Sequence, residues 1–225
     1  MKKVRVALVG LGPHAKRIHV KYLHKNDISF PLLIELASMK TKSAQYLKQI
    51  GFEDTNIWTL PDEYKDNENL PQSYETELLL KIKKLKITHL IISTEPKAHY
   101  MYLCFALKHH ISVLTDKPIT VLKNMNLEAN INKIKRQYYE LLDLYKTSNN
   151  ICMVLCQRQY HRGYQYIENL ITDMIKKYHI PITYIHIYHC DGKWMMPHDL
   201  DCENHPYKYG YGKLFHSGYH FIELL

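Results

Sequence analysis

Gly10-Leu11-Gly12-Pro13-His14-Ala15 follows directly on an apolar run, Val4 to Val9, that reads as a strand buried on both faces. Two glycines separated by one residue, with a small residue three further on, suit the binding of a pyrophosphate. Gly10 would permit a tight turn, Gly12 would let the backbone approach the phosphates, and Ala15 would let the following helix lie close to the strand. Pro13 fits the first helical position, where its missing N–H would have had no partner. Main-chain N–H groups at the helix start, at His14 and Ala15, would then face the phosphates and stabilise their charge. Gly10, Gly12, Pro13, His14 and Ala15 are the expected phosphate-holding residues.

The next position with chemical meaning is the end of the second strand, Glu35-Leu36-Ala37-Ser38-Met39-Lys40-Thr41-Lys42. An acidic residue there ordinarily holds the adenosine ribose, and this chain has Ser38. A hydroxyl backed by Lys40 and Lys42 suits a ribose phosphate better than a free ribose hydroxyl, because the phosphate brings more negative charge and more acceptors. The expected cofactor is NAD or NADP, with a lean to NADP.

Hydrophobic periodicity supplies the elements that must position these residues. Strands are expected at Leu32–Ala37, Thr88–Ser93, Ile111–Leu114 and Ile151–Cys156, alternating with helices at Pro13–Lys25, Ser43–Ile50, Tyr74–Lys84, Ala98–His109 and Asn126–Lys146. The last of these carries an apolar stripe of Leu127, Ile131, Ile134, Tyr138, Leu141, Leu142 and Tyr145. Residues 54–72, polar and holding Pro61 and Pro71, read as a surface insertion. Such alternation predicts an α/β fold with a Rossmann-type doubly wound parallel sheet. Beyond Gln157 the texture changes to a helix at Gly163–Tyr178, an alternating strand at Thr183–His189 and an aromatic, His-rich loop over 191–212. We therefore expect a dinucleotide-binding domain over 1–157, followed by an incomplete α+β second domain over 158–225.

Composition narrows the classes. A chain of 225 residues with 46% hydrophobic content can bury a proper core without disulfide staples. The excess of 30 Lys and Arg over 22 Asp and Glu, a net charge of +8, raises the question of a polyanion partner. The lysines are spread along the chain, however, and the densest group, Lys81 to Lys86, reads as the polar face of a helix, so no nucleic-acid partner is expected. The cysteines, Cys104, Cys152, Cys156, Cys190 and Cys202, are odd in number and lack CxxC spacing, which argues against a disulfide framework or zinc ribbon. No apolar run is long enough for a bilayer and no signal-peptide core follows Met1-Lys2-Lys3, so the expectation is a cytoplasmic protein with no membrane partner.

Thr94-Glu95-Pro96-Lys97-Ala98-His99, followed by Ala106 through Asp116-Lys117-Pro118, resembles the signature stretch of the Gfo/Idh/MocA family of sugar oxidoreductases. In that family Glu-Lys-Pro follows the fifth strand, and Asp116-Lys117-Pro118 stands in its place here. The resemblance implies that Thr94, Glu95, His99, Asp116, Lys117 and Pro118 border the cofactor, with Lys117 between nicotinamide and substrate. Gln157 to Tyr164 looks like the start of the family's second domain. Gly212 to Glu223 is similar to the family's Asp-x-Gly-x-His-x-x-Asp motif: Gly218 and His220 match, His216 takes the first aspartate position and Glu223 the second. Family members continue well past this motif, so either the gene product is shortened or the sequence is part of a longer one. An incomplete sheet exposes a strand edge and apolar surface, which favours pairing with a second chain, a homo-oligomer being one form of it.

The resemblance implies hydride transfer between nicotinamide and a hydroxyl-bearing carbon of a small sugar, cyclitol or sugar nucleotide. His220 would be the general base, since imidazole titrates near neutral pH. Lys117 would stabilise charge on the reacting oxygen, and His216 would help to position substrate. Tyr160, Arg158, Trp194 and His205 lie in segments that could line the cleft. Two other readings stand beside this one. The replaced aspartate and the length suit a binding protein of the same fold that senses dinucleotide without turnover. A metal site is the other, with His216 and His220 four residues apart and Asp199, Asp201, Cys202 and His205 upstream.

Overall fold

The computed structural model describes residues 4–189, 198–200, 202, 205 and 207–225. Six parallel strands form one sheet: β1 (Val6–Val9), β2 (Leu32–Leu36), β3 (Asn56–Leu60), β4 (His89–Ile92), β5 (Ser112–Thr115) and β6 (Cys152–Val154). Their spatial order is β3-β2-β1-β4-β5-β6, the order of the doubly wound dinucleotide-binding fold. The connecting helices are α1 (residues 13–25), α2 (Lys40–Gln49), α3 (Gln72–Lys84), α4 (His99–Lys108) and α5 (Glu128–Ser148).

Period-two alternation along the strands builds two cores. Ala7, Val9, Leu32, Ile34, Leu90 and Ile92 share one buried cluster with Leu78, Leu103, Leu107 and Leu141 of α3, α4 and α5. Val6, Leu8, Leu33 and Ile91 share the other with Ala15 and Leu23 of α1 and Leu47 of α2. Apolar side chains on both strand faces explain the continuous β-branched and aliphatic runs in the sequence. Helix α4 is buried along nearly its whole length, from His99 to Leu107, as its all-round apolar sequence requires.

Some elements differ from expectation. The stretch 54–72 is not simply an insertion: it contains β3, which pairs in parallel with β2 and buries Trp58 and Leu60. Its five residues are short and mixed in polarity because an edge strand needs to cover only one flank. The stripe on α5 is only partly used, since Leu141 is buried while Leu127, Ile131, Tyr138 and Tyr145 are exposed. Residues 183–189 show the alternating pattern of a strand but form none; among the described residues no strand lies beside them to satisfy their backbone groups.

The chain divides into two compact units, Met1–Leu122 with Glu128–Leu155, and Lys123–Leu127 with Cys156–Leu225. In the second unit, helix α6 (Arg162–Tyr178) starts at His161, whose ring accepts a hydrogen bond from the Gly163 amide, and ends at His179 in the left-handed region with φ 53°. Asn124 N–H donates to the Tyr209 carbonyl at 2.8 Å, which stitches 123–127 into this unit. Helix α7 covers residues 214–222, first as a π turn and then as an α turn. Cys104, Cys152 and Cys202 are free thiols. Among the described residues no helix is long and apolar enough to cross a membrane.

Candidate functional site

The carboxyl ends of β1, β4 and β5 meet. The Ser93 amide donates to the Val9 carbonyl and the Asp116 amide to the Ile92 carbonyl, both at 2.8 Å. The glycine turn, the Ser93-Thr94 segment and Asp116-Lys117-Pro118 therefore share one edge of the sheet, at the point where strand order reverses. Open α/β sheets bind ligands at such a point.

Gly10 adopts φ +83°, and a Cβ placed there would lie 2.8 Å from the Ser93 carbonyl oxygen. Only glycine, which has no Cβ, tolerates that conformation at that closeness. Gly12 is different. A Cβ there would meet nothing within 4 Å, so its missing side chain leaves open a cradle that a phosphate can approach. Pro13 begins α1 and Ala15 is fully buried, as close helix-on-strand packing requires. First-turn amides have no intrahelical acceptor, so those of His14 and Ala15 are available to an anion. These residues fit a dinucleotide pyrophosphate.

Glu35, which the sequence reading passed over in favour of Ser38, organises the turn from beneath. Its carboxylate accepts from the Leu11 amide at 2.9 Å and from its neighbour's Leu36 amide at 3.1 Å. Burial pushes its pKa up, and the Leu36 and Leu11 amides and the Ser43 hydroxyl oppose that rise. A lone charged residue inside the apolar run Leu32-Leu33-Ile34-Glu35-Leu36 was the available signal, because a buried carboxylate needs partners. Ser38 is exposed and engages Asp62, its amide and hydroxyl donating to the two carboxylate oxygens at 2.9 and 2.5 Å. Lys40 and Lys42 are exposed nearby in sequence.

Asp116 is buried at the centre of the cluster. Its carboxylate meets His19 Nε2 at 2.9 Å, accepts from the Ser93 hydroxyl and lies 3.7 Å from His14 Nε2. Burial alone would raise its pKa, but the His19 hydrogen bond and charge, the Ser93 hydroxyl and His14 outweigh this and hold it below the usual value. His14 is shifted down, chiefly by burial and against the pull of Asp116. His99 is fully buried. Its Nδ1 faces the Pro118 carbonyl at 2.7 Å and its Nε2 the Thr94 carbonyl at 3.2 Å, so it ties two turns together from behind. Glu95 accepts from the Lys97 amide and caps the turn leading into α4. Lys117 is half-buried between these anchored neighbours.

Both Asp116 and His14 bind protons less readily in the fold than in the unfolded chain, so both contribute stability that is lost on acidification. His14 acts as pH falls below its ordinary 6.5, and Asp116 below its ordinary 3.8. Thermal melts against pH should show a stability decline in both windows. The buried His99 is also shifted down by burial, so in His14→Ala the upper decline should shrink without vanishing, and persistence of the full wild-type decline would contradict the assignment.

In the second unit His220 is buried, its Nε2 is 2.6 Å from the Tyr219 hydroxyl and its ring is 4.1 Å from that of Tyr219. His216 is half-buried in the π turn. Arg158 lies over the Phe221 ring at 4.9 Å, which also meets His189. His205 is buried and Tyr160 is exposed. Trp194, Asp201 and Cys190 lie outside the described residues.

Residues 4–154 match an oxidoreductase family with an NAD-binding Rossmann fold. The chain belongs to the Gfo/Idh/MocA family. No curated protein matches it. Among solved structures, the WlbA (WbpB) dehydrogenase from Thermus thermophilus, in complex with NAD and UDP-GlcNAcA, is similar over 99% of this chain and 62% of its own, with TM-score 0.63 and 16% identity. Myo-inositol 2-dehydrogenase from Lactobacillus plantarum is similar over 77% of this chain and 42% of its own, with TM-score 0.53 and 20% identity. At these identities the likeness is one of fold. The chain spans less than two thirds of either structure's length.

Proposed function

We propose that this member of the Gfo/Idh/MocA family is an NAD(P)-dependent oxidoreductase acting on a hydroxyl-bearing carbon of a sugar, cyclitol or sugar nucleotide. The observation that carries this reading is the meeting, on one sheet edge, of the Gly10-Gly12 cradle and Asp116-Lys117-Pro118. The relatives in complex with NAD and UDP-GlcNAcA, or acting on myo-inositol, support the substrate class by analogy.

Bound nicotinamide supplies the two-electron chemistry. The protein supplies alignment and proton handling. Main-chain amides at Gly12, His14 and Ala15 hold the phosphates. Lys117 donates to the reacting oxygen and stabilises its developing negative charge. Asp116, His99, Thr94, Glu95 and Pro118 act on Lys117 through the backbone they fix. The family resemblance gives the base role to His220, with His216 as a substrate contact.

Cofactor preference turns on Ser38. The Lys40 and Lys42 charges favour NADP, whereas the Asp62 carboxylate bonded to Ser38 repels a ribose phosphate and can accept from a ribose hydroxyl. Contact with Ser38 makes Asp62 the stronger influence, so the reading shifts to NAD. Fluorescence titrations should give tighter binding of NADH than of NADPH, with Asp62→Asn narrowing or reversing the ratio by about 10-fold, a change of about 1.4 kcal/mol. A ratio unmoved by Asp62→Asn would remove Asp62 from recognition. Binding of neither dinucleotide would end the proposed function. Binding without reduction by any member of a sugar and cyclitol panel would favour a sensor, the reading that His216 in the aspartate position supports.

A further inference from the structure

We propose that His14, His19 and Asp116 form a binding site for a divalent transition-metal ion of the Zn²⁺ class. Among the described residues this is the one group of three or more metal-ligating side chains whose ligand atoms converge, all lying within 4.8 Å of one another. The minor metal reading of the sequence rested on His216, His220 and the acidic and cysteine residues upstream, and among the described residues no group of three from that set is found.

Convergence at the glycine turn is not a trivial product of helical spacing. His14 and His19 are five residues apart, which on an α-helix would place them about 140° apart around the axis. Helix α1 contains a π turn at Lys16–Val20, and the wider turn swings His19 back toward His14. Their ring centroids are 5.8 Å apart with planes at 73°. Single π turns inside α-helices commonly mark functional sites.

The donor set suits such an ion. Two imidazoles and one carboxylate are a common three-ligand zinc set that leaves a fourth position open. Metal–ligand bonds of about 2.0–2.2 Å require ligand atoms about 3.3–3.6 Å apart in a tetrahedron. His19 Nε2 lies 2.9 Å from one Asp116 oxygen and His14 Nε2 3.7 Å from the other, so both imidazoles face the one carboxylate at close to that spacing. His14 Nε2 is buried yet makes no hydrogen bond, so it lacks the partner that a buried polar atom ordinarily has. Its side chain is 38% exposed, which leaves it room to close the last ångström. Asp116 is already oriented, by the Ser93 hydroxyl on its carboxylate and by its own amide on the Ile92 carbonyl. Carboxylates that bind a metal are usually hydrogen-bonded in this way.

The test is titration of cofactor-free protein with Co²⁺, read by its visible absorption and by calorimetry, followed by displacement with Zn²⁺. Because no dinucleotide is present, the result is independent of the oxidoreductase reading. We expect one ion per chain, with His14→Ala weakening binding by about 100-fold, the upper end of what even an outer-shell change costs. A control at the exposed His24, His24→Ala, should bind as the wild type does, which matters in a chain with 15 histidines. No binding by the wild type, unchanged binding by folded His14→Ala, or loss in the His24→Ala control would overturn the site.

Discussion

Lys117→Ala should lower kcat by about 100- to 1,000-fold while leaving NADH affinity and thermal stability nearly unchanged. The backbone on either side of Lys117 is held independently of its amine. Asp116 is fixed by Ile92, Ser93 and His19, and the Pro118 carbonyl faces the buried His99 ring. Truncation therefore removes the ammonium while the backbone anchors on either side stay in place. The split between rate and binding is the informative part. An interaction made mainly with developing charge lowers kcat, whereas a ground-state contact would appear in KM. Lys117→Arg should restore little, because a planar guanidinium cannot take the place of a compact ammonium donor. Steady-state turnover of the reactive substrate, alongside NADH titration, checks this. Wild-type kcat in Lys117→Ala would remove the residue from the chemistry.

Gly10→Ala should destabilise the fold strongly. A side chain at φ +83° costs about 1–2 kcal/mol. Its Cβ would also fall 2.8 Å from the Ser93 oxygen and 2.9 Å from Thr94 Cα, both main-chain atoms at the end of the adjacent strand, and forcing them aside costs about 1–3 kcal/mol more. The sum of about 2–5 kcal/mol is a large share of a typical domain's stability. Any folded fraction would carry a displaced turn and weakened dinucleotide binding. Gly12→Ala is the control. Its Cβ enters open space, so it should melt near the wild-type temperature yet bind dinucleotide less well, because the methyl group occupies the cradle. Denaturation and NADH titration on both variants separate fold from site. Equal melting of Gly10→Ala and wild type would refute the strain argument.

The parts of the fold legible in the sequence are those whose cause is local. Val6–Val9 is apolar on both faces because helices cover both sides of a central strand, and the turn after it needs glycine whatever else the chain does. The inner strands and the helices between them could be read for the same reason. β3 could not, because an edge strand has a weak pattern and its pairing with β2 is what makes it a strand. Residues 183–189 are the converse case, a clear alternating pattern without a described strand to pair with.

By itself the sequence determined the alternating α/β class, the glycine cradle and, through Asp116-Lys117-Pro118, the family. Only the tertiary structure decided what surrounds those residues. It set Glu35 beneath the Leu11 amide across 24 positions and Asp116 against His19 across 97, and it paired Asp62 with Ser38 and turned His14 toward His19 through a π turn. The physical reason is range. A turn or a strand face is set by residues a few positions apart, whereas a buried carboxylate takes its partners from whichever strands the sheet order brings beside it.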